Sequence, residues 1–351
     1  MGATMNTGER DEGTTMLSAI YQGRHDVEVR EVPIPTCGPD DVLIRNVRSS
    51  VCGTDAAVWT HGPNTGHKVT VGGEFGHETT SVVAEVGENV RDFTVGERVY
   101  PYPLLARGDP RRAGTLGAFS QYVLCPSPRR NVSLWAVPDS IPDEVARLIE
   151  PFTVGCRAAR RGRPSQGTRA VVFGAGTIGI AAAIALTWFG AEPPLVCDLS
   201  DLRLQKAAAL GFPTCNPARE DAMARAREEF GAARGLDGQT ADLDVWVDAA
   251  GADSVLDDFL AHGKIGSRMV AVAVGRQSRS VGLLRMTYAQ QELVGSGGYL
   301  PEDVRDVMAI MGSRRWDIAS IVTHVFPLER IAEAIWCASD PAASLNVSIT
   351  L

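Results

Sequence analysis

The stretch that most restricts how this chain can fold is Ala170–Phe173, followed at once by Gly174-Ala175-Gly176-Thr177-Ile178-Gly179 and an apolar run to Phe189. Four consecutive apolar residues read as a strand buried on both faces, and the run after the glycines has the length of a buried helix. A strand that turns through glycines into a helix aims backbone N–H groups and the helix dipole at one point, which suits a pyrophosphate. The spacing G-x-G-x-x-G is weak evidence alone. Here a strand precedes it, a helix follows, and Asp198 ends the next apolar strand, 24 residues after Gly174. A carboxylate there accepts from adenosine ribose hydroxyls and repels a 2′-phosphate, favouring NAD over NADP, with Arg203 as the counter-argument. The predicted cofactor contacts are Gly174, Gly176, Thr177, Ile178, Gly179, Asp198, Arg203, Val274 and Ser296.

Strand and helix patterns alternate from there: strands at 195–198, 245–248 and 268–274, helices at 202–210, 219–234 and 253–262. This predicts a doubly wound parallel sheet. The region 16–124 instead shows short alternating stretches broken by Pro and Gly, the pattern of an irregular, barrel-like β-rich unit. A helix at 302–311, a strand at 322–326, a helix at 328–338 and a last strand at 345–351 close the chain. With 351 residues, two cores are expected: 16–156 together with 298–351, and 157–297 inserted between them. Residues 1–15 are polar and small and read as a disordered leader.

Composition removes several classes of function. The net charge of −8 argues against a nucleic-acid backbone binder. No apolar run reaches membrane-spanning length, and no secretory signal opens the chain. The seven cysteines are scattered without a Cys-x-x-Cys pair, as in a cytoplasmic protein with reduced thiols.

Three short segments carry metal-ligand chemistry: Cys52-Gly53-Thr54-Asp55, Gly76-His77-Glu78 and Glu150-Pro151. Thiolate, imidazole and carboxylate suit Zn²⁺, and a catalytic site leaves one position open. Judged singly, the cysteine is a small buried residue and the histidine a structural one. Taken together they look like a site built at turns.

The ordered set CGTD, GHE, VGENV, GERV, EP and GAGTIG resembles the zinc-dependent medium-chain alcohol and polyol dehydrogenases, from about Met16 to Leu351. Asp198-Leu199-Ser200, Arg203-Leu204 and Lys206-Ala207 resemble the sorbitol dehydrogenase branch. The resemblance implies a GroES-like catalytic domain beside a Rossmann domain. Cys52, His77 and Glu78 would bind the catalytic zinc, with Glu150 holding the zinc water or exchanging with it as a ligand. Asp55 would orient His77, and Thr54 would contact the substrate oxygen. The implied reaction moves hydride between NAD and a secondary alcohol or ketone of a diol, polyol, cyclitol or sugar derivative. The alternatives are a zinc-independent quinone or enoyl reductase of the same superfamily and a non-catalytic NAD-binding protein.

Departures from the family are as informative. No cysteine lies between Gly96 and Gly117, so the structural zinc of many relatives is predicted absent. Ala57 stands where many relatives have a relay histidine; His61 and His67 are near in sequence and read as ordinary loop residues, with a part in a relay as the alternative. Gly298 replaces an arginine of the sorbitol enzymes, and Ser296-Gly297-Gly298-Tyr299 looks closer to the butanediol branch. Asn346 takes the place of a basic residue near the pyrophosphate. A homodimer or homotetramer is expected from the family, with strand pairing around 281–287. Arg157, Arg160, Arg161 and Arg163 read as a solvated helix end, and Trp59 is the tryptophan placed to wall a substrate pocket.

Overall fold

The computed structural model describes residues 14–106, 108–274 and 278–351. Most of the expected leader lies outside the described residues, but Thr15 already opens the first strand, Thr15–Gly23. That strand pairs antiparallel with Asp26–Pro33 and with the short strand Gly73–Glu74. A seven-stranded sheet runs in the order Val322–Pro327, Asn346–Thr350, Val42–Ser50, Glu78–Val86, Arg98–Pro101 and Leu134–Ala136, with Tyr122–Cys125 also on Val42–Ser50. Two of its members come from the end of the chain: Ser348 faces Ser50, and Val51 donates to the carbonyl of Val347 at 2.9 Å.

The second sheet has six strands in the order Thr214–Cys215, Leu195–Cys197, Ala170–Phe173, Val245–Asp248, Arg268–Ala271 and Glu292–Gly295. Every pair in it is parallel. The order steps outward to one side from Ala170–Phe173 and then to the other, which puts a topological switch point at the end of that strand. The expected class, a β-rich unit beside a doubly wound parallel sheet, is the one the chain adopts.

The Ile149–Arg161 helix joins the two sheets and packs on the Thr177–Trp188 helix. The approach is close because Gly155 has no side chain: a Cβ there would stand 2.5 Å from the Cβ of Ala181. Their shared core includes Ile149, Phe152, Cys156, Ile180 and Ile184, all buried.

Three sequence expectations are corrected. The 219–234 pattern is a shorter helix, Ala222–Phe230, ended at Gly231 (φ +85°) and followed by the hairpin Ala232–Arg234 and Gln239–Ala241. Residues around 281–287 are not a strand: Leu283–Ala289 is a helix, built from good helix formers such as Leu283, Leu284 and Met286. The sheet edge is the next segment, Glu292–Gly295. The CGTD segment is more than a turn, because Gly53–His61 is a helix with Cys52 as its extended N-cap (ψ 153°).

Candidate metal and dinucleotide site

Local chemistry places the first ligand. The Asp55 carboxylate turns back to accept the N–H of Cys52 at 2.9 Å, satisfying one of the orphan donors at the start of the Gly53–His61 helix. This fixes the Cys52 thiol at the helix mouth. His77 and Glu78 arrive on the Glu78–Val86 strand, whose first residue pairs with Ser50. The turn before it needs Gly76 (φ +87°), where a Cβ would meet the Phe119 ring at 2.6 Å.

The ligand atoms of Cys52, His77 and Glu78 lie within 4.8 Å of one another. Zinc–ligand bonds of about 2.0–2.3 Å fit donors at that mutual spacing. Behind His77, Nδ1 stands 3.5 Å from Asp55 Oδ1, and both atoms are buried without a hydrogen-bond partner. That is the arrangement of a carboxylate orienting a ligating imidazole. Glu78 is held on its other side by the Ser50 hydroxyl.

Glu150 sits in the first turn of the Ile149–Arg161 helix and is 8% exposed. It lies outside the Cys52–His77–Glu78 triad but close enough for the carboxyls of Glu78 and Glu150 to interact. Burial, with Glu150 alongside, pushes Glu78 up to about 8, and burial likewise raises Glu150. Burial and Glu78 push the Cys52 thiol up to about 11. Burial opposes the charged form of His77, but Asp55 and Cys52 outweigh it and hold that imidazole well above its ordinary range. Two buried carboxyls and a thiol around one imidazole hold more latent negative charge than their surroundings neutralise. A divalent cation relieves that imbalance, so the donor set fits zinc by type, spacing and charge.

An aromatic wall stands beside Glu150. Tyr100 and Tyr299 share a hydrogen bond of 2.5 Å between their hydroxyls, and the Tyr102 ring packs on Tyr299 at 4.7 Å. Trp59 is 7% exposed, in the core with Val58 and Phe75, with its edge against His25.

The place of His67 beside Thr54 is what the sequence does not announce. Far from being an ordinary loop residue, its side chain is 12% exposed, and its Nδ1 lies 3.2 Å from the Thr54 hydroxyl and 3.5 Å from Asp55 Oδ1. Its ring packs edge-on to His77 at 4.6 Å. Burial drives its pKa down to about 4, which keeps it neutral near pH 7. No spacing rule connects position 67 with position 54, so nothing short of the fold announces the contact. His61, by contrast, is exposed.

At the other sheet the Gly174 loop has the tight geometry that a dinucleotide cradle needs. Gly174 takes φ +99°, and a Cβ on Gly179 would fall 1.7 Å from the Gly174 carbonyl oxygen. Gly176 caps the helix that starts at Thr177 and continues through Ile178. Asp198 accepts from the backbone of Ala175 at 2.6 Å and of Ser200 at 2.8 Å, so its carboxylate stands at the loop. Arg203 lies over Gly176 and donates to the Ser344 carbonyl at 3.0 Å. Asn346 donates to the Thr177 hydroxyl at 3.3 Å, tying the chain end to the head of the same helix. Val274 and Ser296 follow the ends of adjacent parallel strands, Arg268–Ala271 and Glu292–Gly295.

The arginine cluster is divided: Arg163 and Arg161 are exposed as a solvated helix end would be, whereas Arg157 and Arg160 are half-buried and paired. Arg160 donates to Asp303 at 2.7 Å and to Asp306, Arg157 stands 3.5 Å from Glu302, and Arg161 donates to the Gly295 carbonyl at 3.1 Å. The acids belong to the first turns of the Pro301–Ser313 helix, which the fold lays against the Ile149–Arg161 helix.

Comparison with known proteins agrees with this geometry. Residues 38–139 match the alcohol dehydrogenase GroES-like domain and residues 177–313 the zinc-binding dehydrogenase domain. Sorbitol dehydrogenase of Rattus norvegicus is 30% identical over 339 residues, covering 91% of each chain. The Homo sapiens sorbitol dehydrogenase is 28% identical over 336 residues, again covering 91% of each. Among solved structures, 2R,3R-butanediol dehydrogenase from Bacillus subtilis superposes with a TM-score of 0.82 at 25% identity, covering 96% of this chain and 99% of that one.

Proposed function

Because the chain belongs to the zinc-dependent medium-chain alcohol and polyol dehydrogenases, we propose that it transfers hydride between NAD and a secondary alcohol or ketone of a diol, polyol, cyclitol or sugar derivative. The observation that carries this reading is the Cys52–His77–Glu78 set, with Glu78 buried and the other two half-buried, backed by Asp55, in a chain whose other sheet presents the Gly174–Gly179 loop.

Cys52, His77 and Glu78 would hold zinc, whose charge polarises a substrate carbon–oxygen bond. Asp55 fixes the ring of His77 and the backbone of Cys52 together, so one carboxylate sets two ligands. Glu150 stands ready beside Glu78 to hold a water or to serve as a ligand in turn. Thr54, on the first turn of the helix that Cys52 opens, meets the substrate oxygen. Tyr100, Tyr102 and Tyr299 exclude water from the Glu150 side. Gly174, Gly176, Thr177, Ile178 and Gly179 would hold the pyrophosphate. Asp198 at the loop supports NAD, and Arg203 is turned instead to the Ser344 carbonyl. Val274 and Ser296 would flank the nicotinamide end.

We assign 16–156 with 298–351 to the catalytic unit and 157–297 to the dinucleotide unit, a division supported by Asn346–Thr350 joining Val42–Ser50 in one sheet. A single zinc per chain is supported by the lack of cysteine between Gly96 and Gly117. A homodimer or homotetramer is supported by exposed Leu283, Leu284 and Tyr288 beside the edge strand Glu292–Gly295. Seven free thiols support a cytoplasmic setting, and no helix among the described residues is long and apolar enough to cross a membrane.

Metal content by inductively coupled plasma mass spectrometry, followed by a screen of diols, polyols and cyclitols with NAD⁺ and NADP⁺, tests the reading. The expected result is about one zinc per chain and reduction of NAD⁺ in preference to NADP⁺. Metal-free protein that still binds NADH would move the assignment to a zinc-independent reductase or a non-catalytic binder.

A further inference from the structure

His67 occupies a place that several parts of the chain cooperate to create. The loop that carries it is fastened to the Gly53–His61 helix by the Thr65 hydroxyl, which donates to the Ala57 carbonyl at 3.0 Å. Gly66 then lies so close to Thr54 that a Cβ would fall 2.3 Å from the Thr54 carbonyl oxygen. The imidazole stacks on Phe75 at 5.6 Å with the planes 27° apart, which fixes the ring. Its Nε2 is buried without a hydrogen-bond partner, a cost that a purely structural residue at this position, such as phenylalanine, would avoid. What the cost secures is the place of Nδ1, which lies 3.2 Å from the Thr54 hydroxyl, its nearer neighbour, and 3.5 Å from Asp55 Oδ1.

We propose that His67 is a positioning residue for Thr54, holding one hydrogen-bonding direction of its hydroxyl so that the other is presented to the substrate oxygen. A threonine hydroxyl rotates about its C–O bond and carries one donor and two acceptor directions. With one of them committed to a fixed imidazole nitrogen, the hydroxyl loses that freedom before substrate arrives. Ala57, three residues further along the helix, offers Thr54 no polar side chain. The proposal rests on the reading of Thr54 as the residue that meets the substrate oxygen, and the experiment separates the two.

Four proteins are compared with wild type: Thr54→Val, His67→Phe, the double variant, and His67→Asn. Each is measured for kcat and KM, zinc content, NADH affinity, and calorimetric binding of 2,2,2-trifluoroethanol, an alcohol it should not oxidise, in the presence of NAD⁺. Phenylalanine keeps the stack on Phe75 and removes the nitrogen. His67→Phe is expected to lower kcat about ten- to a hundredfold with zinc content, NADH affinity and melting temperature unchanged. It should weaken trifluoroethanol binding to the same extent as Thr54→Val, and the double variant should be no slower than Thr54→Val alone. His67→Asn, which retains a side-chain amide, should recover a substantial part of kcat. Wild-type kcat in His67→Phe alongside a slow Thr54→Val overturns the proposal, as does additivity in the double variant. If His67→Phe folds poorly, His67→Asn decides: a well-folded variant no faster than His67→Phe overturns it. Wild-type kcat in Thr54→Val overturns the reading of Thr54 itself.

Discussion

The Ile149–Arg161 helix has ionisable side chains at both ends, and the two ends treat charge in opposite ways. At its start, the buried Glu150 and Glu78 join the half-buried Cys52 in a group of latent negative charge, beside Asp55 Oδ1 and His77 Nδ1. At its finish, Arg157 and Arg160 meet Glu302, Asp303 and Asp306, and each cation has an acid within reach. Charges that are mutually neutralised hold elements together. Carboxyls and a thiol gathered around one imidazole, with no arginine or lysine among the described residues paired to them, leave room for a cation to complete the group. One helix therefore serves as scaffold at one end and as site at the other.

The sharpest way to break this contrast is Cys52→Ala. Turnover should fall about a thousandfold or more and zinc content should drop, while NADH affinity stays near wild type. Steady-state rates, metal analysis and a fluorescence titration measure the three quantities, and wild-type turnover in a zinc-free variant would remove the metal from the mechanism. Asp55→Asn is the next largest. With the carboxylate behind His77 replaced by an amide, metal affinity should weaken about ten- to a hundredfold, read by competition with a chelator. Unchanged affinity would mean that Asp55 serves only as the helix cap.

Arg160→Ala probes the opposite end. It leaves Asp303, whose side chain is fully buried, without its closest cation, and should cost about 2–3 kcal/mol in urea denaturation while kcat stays within about twofold. Loss of activity at unchanged stability would erase the distinction between scaffold and site. The smallest effect belongs to Asp242, which is paired with Lys264 and Arg169 on the dinucleotide unit. Burial opposes its ionisation, but those two cations prevail and hold its pKa below the ordinary carboxylate value. A carboxylate depressed in the folded state stabilises above its unfolded pKa of about 3.9 and loses that contribution as pH falls through the folded value. Asp242→Asn should therefore cost at most about 1 kcal/mol near pH 7, and the two denaturation curves should converge in acid. A gap that persists below about pH 3 would assign the loss to packing instead.

Both ends of that helix were visible in the sequence, but unequally. Glu150-Pro151 stood out because a carboxylate beside a proline matched an ordered set of ligand segments. The pairing of Arg157 and Arg160 is hidden in the sequence, because their partners lie more than 130 residues away, as Arg160 and Asp303 show. The same limit hid His67. Thr54 and His67 are 13 residues apart on a helix and a loop, with no periodicity that would bring them together. The strand expected at 281–287 rests on the resemblance alone: Leu283, Leu284 and Met286 favour a helix, and the edge strand Glu292–Gly295 follows within a dozen positions.

What the sequence determined by itself is whatever is encoded locally. The Gly174–Gly179 loop requires glycine at its two ends, since Gly174 takes φ +99° and a Cβ at Gly179 would collide with the loop's own carbonyl. Its strand and helix follow from apolar runs of the right length. The ligand types at Cys52, His77 and Glu78 are likewise chemical facts of the residues. Only the tertiary structure decided which buried polar atoms end without partners, which charges find theirs, and that His67 stands at Thr54. Those outcomes depend on close approaches between distant segments, and dense packing settles such distances to a few tenths of an ångström, a scale on which the order of residues is silent.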